Sequence, residues 1–339
     1  MLKGIGLKVA ATLAFALMSA MIKSASETFP AAELVFFRSL FALATLTAWL
    51  RWRGEFPRAL HTRRPLGHFG RSLSGVCGMF ASFVALALLP LADATAFAFA
   101  APLMVVPLAA LVLGEDVPLY RWFAVAAGFV GVLVMLSDHL GGGIARALER
   151  DGAGLGSIVA LGGAAVSAVS MIQTRRLTSS ESTGAIVFYF SALTTAVAGA
   201  VMSLAALSSA PGFVCDLLAG QRLVAPGALQ WATLVAIGVF GGCGQILMTH
   251  SYRYADASII AAFDYVSMIW AAALGLAVFG EAPSPRIVLG AAIVIAAGVA
   301  ALWRAHAARR IALGEAAATP CALAAQPDSK TPFLKMKQP

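Results

Sequence analysis

Asp264 is the only charged residue between Asp256 and Glu281, and its position suits ion or ligand chemistry. The apolar stretch around it is long enough to cross, as a helix, the roughly 30 Å hydrocarbon core of a bilayer. A carboxylate inside a spanning helix costs about 2.5–3.5 kcal/mol on insertion scales, so it usually faces a cavity, a partner or a ligand. The placement predicts that Asp264 binds a ligand or carries a proton.

Two structural roles remain open for Asp264. One is an ion pair with Arg38, about one turn inside the second apolar stretch, or with Lys23, and the other is a charge at a helix kink or end. On a helix, Ser267 shares a face with Asp264, and the hydroxyl of Tyr265 is close by. We expect these two hydroxyls to extend a polar strip along the helix.

The plan of this stretch occurs twice in the chain. Residues 92–115 open with ADAT and close with GE, and residues 255–281 open with ADAS and close with GE. The copies are 163 residues apart at their opening aspartates and 166 apart at their closing glutamates. A duplicated unit of about half the chain follows from this spacing, and many membrane proteins are built in that way.

The acidic residues at the ends of the two copies suit structural or gating roles. Asp93 and Asp256 open their helices, where N-capping and the helix dipole both favour a carboxylate. Glu115 and Glu281 close their helices, where the dipole disfavours one. We expect these glutamates to accept hydrogen bonds from loop amides at a hinge, with gating as the alternative.

Two prolines interrupt the first copy and have no counterpart in the second. Pro102 and Pro107 each remove a backbone donor and can kink the helix. The carbonyls freed in this way are tolerated only toward protein or a cavity. We therefore expect the two halves of the chain to flex differently.

Aromatic side chains stand on both copies and suit a flat heteroaromatic ligand. Stacking on such rings contributes about 0.5–1.5 kcal/mol per pair beyond burial. Packing against lipid or other helices is the alternative for each of them. The five residues are Phe97, Phe99, Phe263, Tyr265 and Trp270.

The chain as a whole has the composition of a membrane protein. Of its 339 residues, 60% are apolar and only 12% are charged, against about 25% charged in soluble domains. Each apolar stretch has the length of a spanning helix. The sequence predicts an all-α polytopic membrane protein with ten transmembrane helices, at about 5–24, 33–52, 70–89, 92–113, 118–137, 155–174, 184–208, 228–250, 255–279 and 286–304.

Five spans in each half give the two repeats opposite orientations, because an odd number of crossings reverses the chain. The predicted units are a first repeat at 5–137, a connection at 138–154, a second repeat at 155–304 and a disordered tail at 305–339. If the N-terminus is cytoplasmic, 18 Lys and Arg residues lie inside, among them Lys8 and the six arginines of a basic connector at 51–71, and 5 lie outside. This excess predicts that both termini are cytoplasmic. The net charge of +8 then reflects topology rather than nucleic-acid binding.

On these features the chain resembles the drug/metabolite transporter superfamily, EamA type. The likeness rests on the ADAT and ADAS openings, the segments GEDVPLYRWFAVAAGFVGVLVM and GEAPSPRIVLGAAIVIAAGVAAL, and VFFRS in the second span. It covers about residues 5–304. The resemblance implies inverted halves, a central cavity lined mainly by helices 1, 3, 4, 6, 8 and 9, and alternating access without ATP hydrolysis.

Within the superfamily, KGIGLKV, FFRS and AAFDY are most similar to carriers of riboflavin and to relatives that take up S-adenosylmethionine. The resemblance implies a bacterial inner-membrane carrier with riboflavin uptake as the first candidate. S-adenosylmethionine, amino acids and other metabolites or drugs, moved in either direction, are the alternatives. Membrane lipid surrounds such a carrier, and a homodimer is an open alternative.

The sequence disfavours other functional classes. A membrane enzyme needs a cluster of acid, base or metal-binding groups, whereas the five histidines are scattered, mostly in connections and tails. A scaffold or receptor needs a recognition surface, and the connections are mostly too short to form one. We therefore expect no enzyme activity, no metal site and no cofactor.

Overall fold

The computed structural model describes residues 2–113, 118–139, 153–178, 180–207, 224–251, 263–300, 303–304 and 307. Every regular element within these ranges is a helix. Seven helices are long and apolar enough to cross a membrane, and three shorter apolar helices bring the number to ten. The all-α polytopic architecture predicted from the sequence is therefore confirmed.

Each half of the chain supplies five of these spans, and the fourth span consists of two helices. The helices of the first half are α1 (Leu2–Ala25), α2 (Ala31–Trp52), α3 (Pro65–Leu88), α4 (Leu91–Ala98), α5 (Ala100–Leu113) and α6 (Leu119–His139), with a short 3₁₀ helix at Arg58–Leu60. Those of the second half are α7 (Ala153–Thr178), α8 (Thr183–Leu207), α9 (Ala228–Ser251), α10 (Val266–Phe279) and α11 (Pro285–Ala300), with a 3₁₀ turn at Phe263–Tyr265 before α10. The connection at 138–154 and the tail at 305–339 lie almost entirely outside the described residues, so the predictions made for them stay predictions.

Prolines mark the start of four of the described helices. Pro65 and Pro285 are the first residues of α3 and α11, and Pro30 and Pro90 are the N-caps of α2 and α4. Proline suits a helix start because its φ is already helical and its missing amide would have no partner there. Asp93 is therefore not the cap of α4 but a buried residue of its first turn, where the helix dipole still favours its charge. The N-capping predicted for Asp93 is wrong because Pro90 occupies that position.

The fourth span is interrupted at Phe99, between α4 and α5. The residue at that point is a turn, and α5 begins one residue later at Ala100. Pro102 has no amide to donate to the carbonyl of Ala98, which explains why the helix is interrupted there. Pro107 lies inside α5 and removes a second internal hydrogen bond.

The packing of the helices follows the repeat. α3 lies along α7 and α1 lies along α9, and the repeat symmetry exchanges these two pairs. The pair α2 with α9 corresponds in the same way to α3 with α8, and α5 on α7 corresponds to α10 on α1. Most of the described contacts therefore join one half to the other, which is how two inverted repeats bury their apolar faces.

The last spans of the two halves meet through glycines. A Cβ atom on Gly131 of α6 would lie 2.6 Å from the carbonyl oxygen of Gly290 of α11, so only glycine allows this approach. Small residues of this kind let helix backbones touch in a membrane, where van der Waals packing and not hydrophobic exclusion drives association.

Candidate functional site

Asp264 forms an ion pair with Lys8, and this pair joins the two halves of the protein. Nζ of Lys8 lies 2.5 Å from Oδ1 of Asp264. Lys8 belongs to α1 of the first half, and Asp264 lies in the 3₁₀ turn that precedes α10 of the second half. The Lys8 side chain is 1% exposed and the Asp264 side chain 44% exposed. One partner is thus locked in the protein while the other remains open to its surroundings.

The pairing corrects two expectations. The sequence suggested Arg38 or Lys23 as the partner of Asp264, and it placed Lys8 among the cytoplasmic charges that set topology. Lys8 instead lies inside α1 and is buried. The signal that could have revealed it is its spacing of four from Thr12, because both side chains are buried on one face of the helix.

The turn around Asp264 presents its carboxylate at the start of a helix. Oγ of Ser267 donates a hydrogen bond of 2.6 Å to the backbone carbonyl of Asp264, so the hydroxyl holds the backbone rather than extending a polar strip. A helix N-terminus favours a carboxylate through its dipole. Phe263 is half-buried in the same turn, and of Tyr265 only the backbone is described.

The other aromatic residues that the sequence singled out occupy different settings. Phe97 and Phe99 are buried in the apolar core, and both have ring or other contacts. Trp270, in α10, is half-buried, and its Nε1–H has no hydrogen-bond acceptor among the described residues. Whether any of these rings stacks on a ligand stays a prediction.

A second ion pair joins the halves at the other end of α1. Nζ of Lys23 lies 3.1 Å from Oε1 of Glu281 and also donates a 2.7 Å hydrogen bond to the carbonyl of Leu89. The other carboxylate oxygen of Glu281 accepts a 3.1 Å hydrogen bond from the amide of Leu91. This outer cluster, Lys23, Leu89, Leu91 and Glu281, ties α1, the α3–α4 hairpin and the end of α10 together.

Two arginines lie between the spans without a carboxylate partner among the described residues. Arg38 of α2 is 4% exposed, and neither its Nε nor its Nη1 makes a hydrogen bond in the described part of the chain. Arg71 of α3 donates from Nε to Thr174 at 3.0 Å and stacks over Phe190 at 4.2 Å, while its Nη1 has no described acceptor. Arg38 and Arg71 are close enough to repel each other.

Arg71 is a residue that the sequence did not single out. It was counted with the basic connector before the third span, whereas α3 begins six residues earlier, at Pro65. Phe190, which it covers, stands 152 residues after Arg38 and is its counterpart in the repeat. The second half therefore presents an aromatic face where the first half presents a charge.

A small cavity lies between α3, the fourth span and α7. Its volume is about 130 Å³, less than half that of a second pocket described below. Ala94 and Ala98 on one side of the Phe99 turn and Ala101 on the other line it, together with Ser82 and Ser167. Small side chains thus leave space between the halves beside the interrupted helix.

The second pocket, of about 290 Å³, lies at the ends of α2, α8 and α9. Glu181 lines it and accepts a 3.0 Å hydrogen bond from the amide of Arg63, and its other oxygen lies 3.5 Å from Nε2 of His68. The hydrogen bond from the Arg63 amide is the main reason why the pKa of Glu181 lies below its usual value. Glu181 therefore stays charged and fastens the α7–α8 connection to the start of α3.

Of the remaining predicted site residues, two lie outside the described ranges and two lie in the fourth span. Asp256 and Glu115 lie outside the described residues, so their roles stay predictions. Pro102 is exposed and Pro107 half-buried, on the interrupted fourth span. No group of three potential metal ligands occurs within the ranges that the structure describes.

Comparison with known proteins shows that the chain is similar to transporters. The family model described as "EamA-like transporter family" matches residues 2–137 and 154–303. The pseudopaline exporter CntI of Pseudomonas aeruginosa is 30% identical over 298 residues, covering 88% of this chain and 95% of that protein. The S-adenosylmethionine uptake transporter of Rickettsia prowazekii is 28% identical over 266 residues, covering 78% and 80% of the two chains.

Two further similarities complete the comparison. The riboflavin transporter of Rhizobium johnstonii is 27% identical over 293 residues, covering 86% of this chain and 88% of that one. A protein of known crystal structure has the same fold with a TM-score of 0.59 and 20% identity, covering 91% of this chain and 98% of the other. At this identity the structural likeness concerns the fold alone.

Proposed function

We propose that this chain, which belongs to the EamA-like transporter family, is a secondary transporter that moves a small metabolite across the bacterial inner membrane by alternating access. The observation that carries the mechanism is the ion pair between Lys8 and Asp264, because it bridges the two halves that must move against each other. In this proposal the protein performs no bond chemistry and only carries its substrate.

The unequal exposure of the two partners suits a switch. A buried ammonium needs a counter-charge, since an unpaired charge inside a protein is strongly unfavourable. Asp264 is open enough to receive a proton or a cationic group, and either would weaken its hold on Lys8. Binding at Asp264 would then release α1 from the turn before α10, which is a contact between the halves with two alternative states.

The outer cluster suits closure of the carrier at the outer side of the membrane. We propose that both termini are cytoplasmic, which places Lys23 and Glu281 on the outer side of the membrane. Their contact, with the backbone hydrogen bonds to Leu89 and Leu91, then closes the outer end between α1, α4 and α10. Reporter fusions that locate the two chain ends on opposite sides of the membrane would contradict this topology.

The substrate is proposed from the relatives. Riboflavin is the first candidate from the sequence motifs, and S-adenosylmethionine and pseudopaline are named for relatives at similar identity. Both export and uptake occur among those names, so the direction is also open to test. The repeats of the proposed carrier are residues 5–137 and 155–304.

Flux through proteoliposomes tests the proposal. Purified protein is reconstituted, and the entry of labelled riboflavin, S-adenosylmethionine and pseudopaline is followed with and without a proton gradient. We expect saturable flux of one compound that is lost in Asp264→Asn, while the exposed loop variant Glu27→Gln keeps it. Equal flux in the wild type and in Asp264→Asn would remove the ion pair from the mechanism.

A further inference from the structure

Arg38 and Arg71 are unusual because several of their N–H groups have no hydrogen-bond acceptor among the described residues. A guanidinium carries five N–H groups and stays charged in proteins, so it has to be neutralised when it leaves water. Within the described residues neither side chain forms an ion pair, and Nε and Nη1 of Arg38 and Nη1 of Arg71 have no hydrogen-bond partner although water does not reach them.

Two acidic residues that the structure describes, Glu33 and Glu181, accept hydrogen bonds from backbone amides elsewhere. Glu33 lies five residues before Arg38, and its Oε2 accepts a 2.9 Å hydrogen bond from the amide of Val224. Glu181 is bound to the amide of Arg63 and lies beside His68. Neither guanidinium therefore has a counter-charge in an ion pair among the described residues, and the repulsion between the two adds to the cost of burying them.

The surroundings bury the Arg38 side chain and leave that of Arg71 half-buried. Gly241 of α9 gives Arg38 its space, because a Cβ atom there would lie 3.2 Å from Nε. Thr174 and the ring of Phe190 fix Arg71 from the second half. The two charges thus project from α2 and α3 against helices of the other repeat, in the region that must rearrange during transport.

We propose that Arg38 and Arg71 together bind one anionic group, a carboxylate or a phosphate, of the transported substrate. The inference rests on the proposed transport function and adds a substrate class to it. A planar guanidinium matches the oxygens of either group with two parallel hydrogen bonds, and charge-assisted bonds of this kind are the strongest available to a side chain. The bound anion supplies the counter-charge that the described chain lacks.

The proposal separates the candidate substrates. Riboflavin has no anionic group at neutral pH, whereas its 5′-phosphate, FMN, carries one. S-adenosylmethionine has a carboxylate, whereas decarboxylated S-adenosylmethionine keeps the nucleoside, the sulfonium and the ammonium and lacks it. In at least one pair the member that carries the anionic group should bind more tightly, and S-adenosylmethionine or a related amino acid is favoured over riboflavin.

The experiment measures binding by thermal shift, independently of transport, on the full-length protein in detergent. The proteins are the wild type, Arg38→Met, Arg71→Met and a control, Arg58→Met, at an exposed position of the basic connector. The probes are the two matched pairs and inorganic phosphate. A ligand that binds only the folded state stabilises it by RT ln(1 + L/Kd), where L is the free ligand concentration, so the rise in melting temperature at several ligand concentrations gives the affinity.

In at least one pair, we expect the wild type and Arg58→Met to bind the member that carries the carboxylate or phosphate with at least tenfold higher affinity than the other member. In Arg38→Met and in Arg71→Met the preference should fall below twofold. A preference in the riboflavin and FMN pair indicates a phosphate site, and a preference in the S-adenosylmethionine pair indicates a carboxylate site. Without ligand, Arg38→Met should melt at a higher temperature than the wild type, because it removes an uncompensated buried charge; a structural ion pair predicts the reverse.

Equal affinity for both members of each pair in the wild type overturns the proposal, as does a preference that survives in Arg38→Met. If Arg38→Met does not fold, Arg71→Met and the charge-retaining Arg38→Lys give the same comparison, and Arg38→Lys should keep part of the preference. The proposal is also overturned if every probe changes the melting temperature of the arginine variants as much as that of the wild type. Failure of the transport function appears separately, as absence of flux in wild-type proteoliposomes despite an arginine-dependent thermal shift.

Discussion

The two ion pairs between α1 and the ninth span differ in the way they are anchored. Lys23 and Glu281 each hold a backbone group as well as each other, so the outer cluster is a network of three contacts. Asp264 faces the buried Lys8 from a position that is 44% exposed. The same two segments are thus held at one end by a network of three contacts and at the other by an ion pair whose carboxylate is partly exposed.

Loss of the Asp264 carboxylate should reduce transport more than any other change, because it breaks the ion pair with Lys8, called the inner pair. Asp264→Asn removes the charge and keeps the shape, so we expect transport to fall by tenfold or more while the protein still inserts in the membrane. Flux in proteoliposomes, normalised to the amount of inserted protein, measures it. Asp264→Glu keeps the charge and should retain part of the flux; equal loss in both variants would assign the effect to shape instead.

Loss of the exposed partner should lower stability more than loss of the buried one. Lys8→Met leaves the Asp264 carboxylate able to contact water, whereas Asp264→Leu removes a counter-charge from a buried ammonium, so Asp264→Leu should lower the melting temperature by several degrees more. The double variant Lys8→Met with Asp264→Leu should recover most of that loss without recovering transport. Additive losses in the double variant would show that the two side chains do not interact.

The outer cluster should tolerate change better than the inner pair. In Glu281→Gln the single amide oxygen can still accept from Leu91, but the side-chain NH2 that replaces the other oxygen cannot accept from Lys23, so the ion pair is lost while Lys23 keeps its hydrogen bond to the carbonyl of Leu89. We expect a two- to fivefold change in flux and a small fall in melting temperature, with Glu27→Gln as the unchanged control. A loss as large as that of Asp264→Asn would make the two ends of α1 equivalent and remove the contrast.

The smallest expected effect concerns Glu181, outside the spans. Its pKa is lowered in the folded protein by the hydrogen bond from the Arg63 amide, so its charge stabilises the fold above the unfolded value of 4.5. That contribution is lost as the pH falls through the lower folded pKa. The melting temperature of Glu181→Gln should therefore be below that of the wild type at pH 7, and the gap should close under acid conditions. A gap independent of pH would assign the effect to lost packing.

The sequence predicts the architecture well because apolar length and the repeated ADAT, ADAS and GE motifs are local features. It does not reveal Lys8 or Arg71, since a basic residue two turns inside a helix looks the same in sequence as one that flanks the helix. Only the packing of α1 on the turn before α10, and of α3 on α8, decides that these charges are interior. The cap of α4 was misassigned for a related reason, because Pro90 and Asp93 both favour a helix start.

The interrupted fourth span has a mechanical consequence for the size of the substrate. The cavity beside it measures about 130 Å³, which is smaller than the roughly 300–1,000 Å³ of typical ligand pockets. Ala98 and Ala101 of its wall stand on either side of Phe99, where the absent amide of Pro102 leaves the backbone less constrained. Swinging α4 away from α5 at that joint would widen the chamber at low energetic cost, so a metabolite too large for the closed protein could be admitted without tilting the whole span.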